Sequence, residues 1–176
     1  MAQVDDWITP FTGQRNPGFL KKIRENIADL KVLLRPEETV IDVGCGHGYL
    51  YRALGHPHYL GVDLYEENLT EARLLFGDRF VRRDLFDLEG LWDVVICSRV
   101  VMHLNDFGTA IKKLIACARR LCVLFVPLAE ADSVTTENVK GNRVHFRTFS
   151  RATLAGFGLC RIFEHQPYAT VVNECE

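Results

Sequence analysis

Two acids and three glycines, set close together, are the residues of this chain with the clearest chemical potential. Asp42 stands two places before Gly44, and the run Gly44-Cys45-Gly46-His47-Gly48 follows. Asp63 comes 21 residues after Asp42, at the end of a second apolar run, Tyr59-Leu60-Gly61-Val62. Glycines let the backbone take positive φ and leave room for a ligand against the main chain. An acid at a strand tip can accept hydrogen bonds from both hydroxyls of a ribose. Strand, glycine turn, helix and strand form the opening unit of a doubly wound nucleotide-binding sheet. A dinucleotide site wants G-x-G-x-x-G, with pyrophosphate seated at the helix start. Here the third glycine falls one place early, position 49 is Tyr49, and Asp42 would sit badly beside a pyrophosphate. The spacing speaks against an NAD(P)-dependent oxidoreductase.

The pattern D-x-G-x-G-x-G, framed by two strands and a correctly spaced acid, resembles motif I of the class I S-adenosylmethionine-dependent methyltransferases. The cofactor of that family carries a ribose and no phosphate. The resemblance implies that Asp42 faces the methionine end and Asp63 holds the ribose. Gly44, Cys45 and Gly46 would lie along methionine and ribose, with Cys45 touching through its backbone. Asp63 and Leu64 would meet the ribose and one adenine face. Asp84 and Leu85 look like motif III, where an acid and the next amide meet the adenine edge. Ser98, with Cys97 and Arg99, would pass near the sulfonium. The run from Ser98 to Asp106 resembles the segment after motif IV, and His103 there serves either as general base, as a substrate contact, or as a histidine packed beneath the cofactor. Plain structural roles compete at each position: Asp42 and Asp63 as strand-end caps, Asp84 as a turn acid.

These residues need a scaffold, and the apolar spacing supplies one. Leu20, Ile23, Ile27, Leu30 and Leu34 mark a helix from Pro17 to just before Pro36. Val40–Val43 and Tyr59–Asp63 read as strands, with short helices over 47–54 and 66–76. Phe80–Arg82 is a third strand. Trp92–Cys97 reads as a central strand buried on both faces. A helix is expected over Asp106–Arg120, then a strand over Leu121–Pro127. Residues 129–143 carry no clear period and are expected to be a loop. A short helix at 151–155 and a hairpin over 159–164 and 169–172 close the chain. The result is an α/β, doubly wound, mostly parallel seven-stranded sheet with helices on both faces; the resemblance supplies the order 3-2-1-4-5-7-6. Residues 1–176 form one domain, with residues 1–18 implied by the resemblance to act as a lid.

Composition narrows the partners. A net charge of −2 lacks the basic excess of a large nucleic-acid footprint. Scattered basic pairs and the absence of a [DN]-P-P-[YF] motif favour a small-molecule or peptide acceptor over nucleic acid. Six cysteines form no C-x-x-C pair, so neither disulfides nor a metal site is indicated. No apolar run is long enough to span a bilayer, and no basic start followed by an apolar core opens the chain, so no membrane contact and a cytoplasmic protein are expected. The expected activity is methyl transfer from S-adenosylmethionine, leaving S-adenosylhomocysteine, to nitrogen, oxygen or carbon. Alignment alone can carry much of such a displacement, up to ~7–11 kcal/mol. The main alternative is a non-catalytic module that binds the same cofactor.

Overall fold

Pro17 opens helix α1 (Pro17–Leu33), where its missing N–H costs nothing. The computed structural model of the chain describes residues 17–139 and 142–175, so most of the expected lid over 1–18 lies outside the described residues. Ile23, Ile27, Leu30 and Leu33 form the buried stripe of α1, and two polar residues, Asn26 and Asp29, share that buried face.

Strand β1 (Val40–Val43) pairs in parallel with β2 (Tyr59–Asp63) on one side and β4 (Trp92–Ser98) on the other. Helix α2 (Tyr49–Leu54) crosses from β1 to β2, and α3 (Glu66–Phe76) crosses from β2 to β3 (Phe80–Arg82). Helix α4 (Phe107–Ala116) leads into β5 (Ala118–Ala129), parallel to β4. Side chains of β4 alternate between two cores. Val94 and Ile96 pack with α1, α2 and α3, while Val95 and Cys97 pack with α4. That two-sided burial explains the unbroken apolar run that marked the strand.

The closing hairpin, β8 (Arg161–His165) and β9 (Tyr168–Glu174), docks antiparallel on β5 through β9. The main sheet therefore runs β3-β2-β1-β4-β5-β9-β8, which is the expected order once the hairpin strands are counted sixth and seventh. Two further strands make nine. The segment expected as a loop over 129–143 carries β6 (Ser133–Val139), paired with β7 (Asn142–Ser150), and β7 touches β5 at Leu128 and Ala129. Strand β6 is exposed from Ser133 to Asn138, while β7 buries Phe149 in the core and packs Phe146 against it. Ser133 and Thr148 share a 2.8 Å hydroxyl contact, and Thr136 Oγ1 lies 2.9 Å from His145 Nδ1. Cross-strand polar pairs hold such a ribbon without the alternation that betrays a half-buried strand.

One helix also ends early. Helix α4 stops at Ala116, four residues short of the expected Arg120, because the Cys117 carbonyl accepts from Trp92 N and Ala118 already pairs with Trp92. No glycine or proline marks that change of period, and buried Ala118 continues the apolar stripe by coincidence. Helix α5 (Arg151–Gly156) is capped by the Ser150 hydroxyl, as its sequence indicated.

Candidate active site

The carboxyl ends of β1, β2 and β4 meet at one edge of the sheet and bring the two acids and the glycine turn together. Backbone bonds sew the turn to β2: Gly44 N and Cys45 N both donate to the Val62 carbonyl, at 2.8 and 3.0 Å. Asp63 completes the seam. Its Oδ2 accepts from Gly46 N at 2.8 Å and its Oδ1 from Tyr65 N at 2.9 Å, so the carboxylate lies inward against the turn and is 7% exposed. Two donors leave lone pairs on both oxygens for further partners.

Asp42 lies under the same turn in a different state. It is 1% exposed, and its Oδ2 accepts from the Tyr59 hydroxyl. Its Oδ1 has no hydrogen-bond partner among the described residues. Burial pushes its pKa up to about 7; the Tyr59 hydrogen bond opposes the shift and the Asp63 charge reinforces it. Cys45, beside them, is a buried thiol pushed up by burial and by both acids, which suits a filler and not a nucleophile.

The two leading glycines differ. A Cβ on Gly46, at φ 52°, would meet nothing within 4 Å. A Cβ on Gly44, at φ 77°, would fall 2.2 Å from Val100 Cγ2. Val100 thus roofs Gly44, while Gly46 opens to free space. An acid oxygen without a partner and an inward-facing carboxylate, beside an open glycine, form a pair of acceptors suited to a ligand that brings donors, such as hydroxyls and an ammonium.

Beyond β4, Ser98 is buried and its hydroxyl takes part in a polar chain. Arg99 Nη2 donates to the Tyr49 hydroxyl at 3.1 Å, Tyr49 donates to Ser98 Oγ at 3.1 Å, and Ser98 donates to Asn26 Oδ1 at 3.4 Å. Asn26 Nδ2 reaches Thr170 Oγ1 at 3.5 Å, and Thr170 donates in turn to Asp29, which also lies 2.6 Å from His165 Nε2. Spacing gave no sign of this chain, although Asn26 and Asp29, polar residues on the apolar stripe of α1, were its visible trace.

Asp84 and Leu85 follow β3, two strands from β1. The Asp84 carboxylate accepts from Phe86 N at 3.0 Å, capping a short 3-10 turn in which Leu85 is buried. Leu64, Tyr65 and Phe86 stay exposed beside them, an apolar rim at this end of the site. On the opposite side, His103 ends a 3-10 turn and sits under β7. Its Nδ1 lies 2.7 Å from the His145 carbonyl, and its ring meets Phe146 edge-on at 4.9 Å. A carbonyl can only accept, so Nδ1 carries the proton and Nε2 of the neutral ring is left as the acceptor. Further along β5, a cleft of about 920 Å³ opens between Leu128, Ala129, Ser150, Arg151, Glu164 and Gln166.

Known proteins share this fold. The family model described as a methyltransferase domain matches residues 13–161. No curated protein sequence matches the chain. Among solved structures, the 1,6-didemethyltoxoflavin-N1-methyltransferase of Burkholderia thailandensis is similar, with TM-score 0.70 and 17% identity over 98% of this chain and 86% of its own. The magnesium protoporphyrin IX methyltransferase of Synechocystis PCC 6803, solved with bound S-adenosylhomocysteine, gives 0.66 and 22% identity over 97% and 92%. An S-adenosylmethionine-dependent methyltransferase of Mesorhizobium loti gives 0.64 and 16% identity over 85% and 97%.

Proposed function

Because the chain belongs to the methyltransferase-domain family, we propose that it moves a methyl group from S-adenosylmethionine to a nitrogen, oxygen or carbon of a small-molecule acceptor. The observation that carries this reading is the buried Asp42 with one oxygen unpartnered, directly beneath a turn that Asp63 locks and Gly46 leaves open. The names of the Burkholderia and Synechocystis enzymes, a 1,6-didemethyltoxoflavin-N1-methyltransferase and a magnesium protoporphyrin IX methyltransferase, support a small-molecule acceptor. No helix among the described residues is long and apolar enough to cross a membrane.

S-adenosylmethionine, when bound, supplies a methyl group on a positively charged sulfur, which is a good leaving group. The protein's share is then placement. Asp42 takes the ammonium of the methionine end, and Asp63 takes the ribose hydroxyls with the lone pairs that Gly46 and Tyr65 leave over. Leu64 covers one face of the adenine, and Asp84 with the Leu85 amide meets its edge. Gly44 and Cys45 contribute backbone, Gly44 under the Val100 roof. Ser98 orders the rim of the mouth. His103 presents Nε2 to the acceptor and removes its proton as the new bond to carbon forms.

Calorimetric titration with S-adenosylhomocysteine tests the reading. Wild type should bind in the micromolar range, about −8 kcal/mol, and Asp63→Ala should lose at least tenfold. Absence of binding to wild type would overturn the proposal, and unchanged affinity in the variant would take Asp63 out of the site.

A further inference from the structure

We propose that Arg99 is the anchor for the carboxylate at the methionine end of the cofactor, an inference that rests on the cofactor assignment above. Three independent observations meet on this residue. Its backbone is the first. Among the described residues, Arg99 is the only non-glycine with positive φ, at 60°. The left-handed region costs an L-residue roughly 1–2 kcal/mol, and such strain persists where the surroundings over-determine it, often at ligand clamps. Here the surroundings do so: Arg99 N donates to the Phe125 carbonyl at 2.9 Å, and the next residue, Val100, is wedged onto Gly44.

The second observation is where that backbone sends the side chain. The guanidinium turns back over the residue that ends the glycine turn, donating to the Tyr49 hydroxyl and lying 5.6 Å from its ring centre. Tyr49 in turn is fixed by the donor chain through Ser98, Asn26 and Thr170 to Asp29. Every link runs in one direction, from the arginine cation to the Asp29 acceptor, so the Tyr49 hydroxyl is held with its lone pairs toward Arg99. Much of this chain is buried, and the guanidinium is therefore held in place before any ligand arrives.

The third is charge. The methionine tail of the cofactor is a zwitterion, and the turn already offers an unpartnered carboxylate oxygen for its ammonium at Asp42. The tail's own carboxylate needs a cation on the same turn. Val100 lies against Gly44 and the Arg99 guanidinium reaches Tyr49, so this cation stands beside the turn that Asp42 precedes. The planar fork of arginine matches a carboxylate through two parallel hydrogen bonds, which a lysine cannot reproduce.

The test removes the carboxylate from the ligand and the cation from the protein in turn. Wild type, Arg99→Asn and Arg99→Lys are titrated with S-adenosylhomocysteine and with its decarboxylated analogue, S-adenosyl-3-thiopropylamine. Asparagine tolerates left-handed backbone, so the variant loses charge without new strain. Wild type should prefer S-adenosylhomocysteine by at least tenfold. That preference should fall below threefold in Arg99→Asn, through loss of S-adenosylhomocysteine affinity alone, and return in part in Arg99→Lys. Should Arg99→Asn fail to fold, the preference in wild type and its reduction in Arg99→Lys carry the test. Equal binding of both ligands to wild type overturns the anchor while leaving the cofactor assignment standing. A preference that survives in Arg99→Asn does the same. No binding of either ligand to wild type overturns both.

Discussion

The two banks of the active-site mouth are built in opposite ways. On the turn bank, Asp42, the glycines and Asp63 are joined by short loops and by backbone bonds that reach no further than the neighbouring strand. On the other bank, His103 is held by a carbonyl 42 residues away, on a ribbon whose outer strand β6 is exposed and whose inner strand β7 reaches the core through Phe146 and Phe149. The first bank is held by bonds within one strand–turn–strand unit. The second depends on docking between two separately formed pieces. This contrast suits a site where the cofactor must always bind in one pose and the acceptor surface is free to differ. It predicts that damage to the turn bank appears in stability and cofactor affinity, and damage to the other bank in turnover.

The largest expected effect is at Gly44. Gly44→Ala combines positive φ with a Cβ 2.2 Å from Val100 Cγ2, and overpacking with backbone strain should cost at least about 3 kcal/mol in urea unfolding. Gly46→Ala shares the strain and meets open space, so about 1 kcal/mol is expected. Its main effect should be on S-adenosylhomocysteine affinity, since the methyl would enter the space left for the ligand. Equal stability losses in the two variants would show that Val100 is no constraint on the turn.

His103→Ala should slow single-turnover methyl transfer by about a hundredfold and leave S-adenosylhomocysteine affinity within twofold. A histidine that only packs would give the reverse, with stability lost through the Phe146 contact and the rate unchanged. Combining His103→Ala with Asp63→Ala should add the two losses, because His103 and Asp63 share no hydrogen-bond partner among those described, and sites without shared partners behave independently.

The same contrast decides what could be read from the chain alone. The turn bank was legible because glycine at three alternate positions and an acid at a strand tip have few other uses, and because strand, turn and helix follow one another without a gap. Strands β4 and β5 were legible for a related reason: burial on both faces leaves runs such as Val94-Val95-Ile96-Cys97 with no polar break. Strand β6 was not, since Ser133-Val134-Thr135-Thr136-Glu137 buries neither face and owes its order to partners on β7. Nor was the end of α4, where Ala118 fits a helical stripe and a buried strand equally well. Arg99 and Tyr49 were visible only as residues near a strand end and a turn. Their pairing needs the register between β1 and β4, which no local pattern encodes.

The smallest effect expected is also the one whose sign is most telling. Asp42 carries an unpaired oxygen in the interior, and its pKa rises from 3.8 to about 7. Between those values the folded protein binds more protons than the unfolded chain, so this group's contribution to stability falls as pH rises from about 4 to about 7, then levels. The full penalty is at most about 4 kcal/mol, from 1.36 kcal/mol per pKa unit. Asp42→Asn removes the charge but buries an amide with one poorly satisfied end, so a net gain of about 1–2 kcal/mol is expected at pH 8 and none at pH 4. Urea unfolding of both proteins at the two pH values measures the difference. Affinity for S-adenosylhomocysteine should move the other way, falling in the variant, because in the proposed role the buried charge is the one that would meet the cofactor's ammonium. A variant less stable at pH 8, or one that binds as tightly as wild type, would mean that Asp42 is satisfied within the fold and holds nothing in reserve for a ligand.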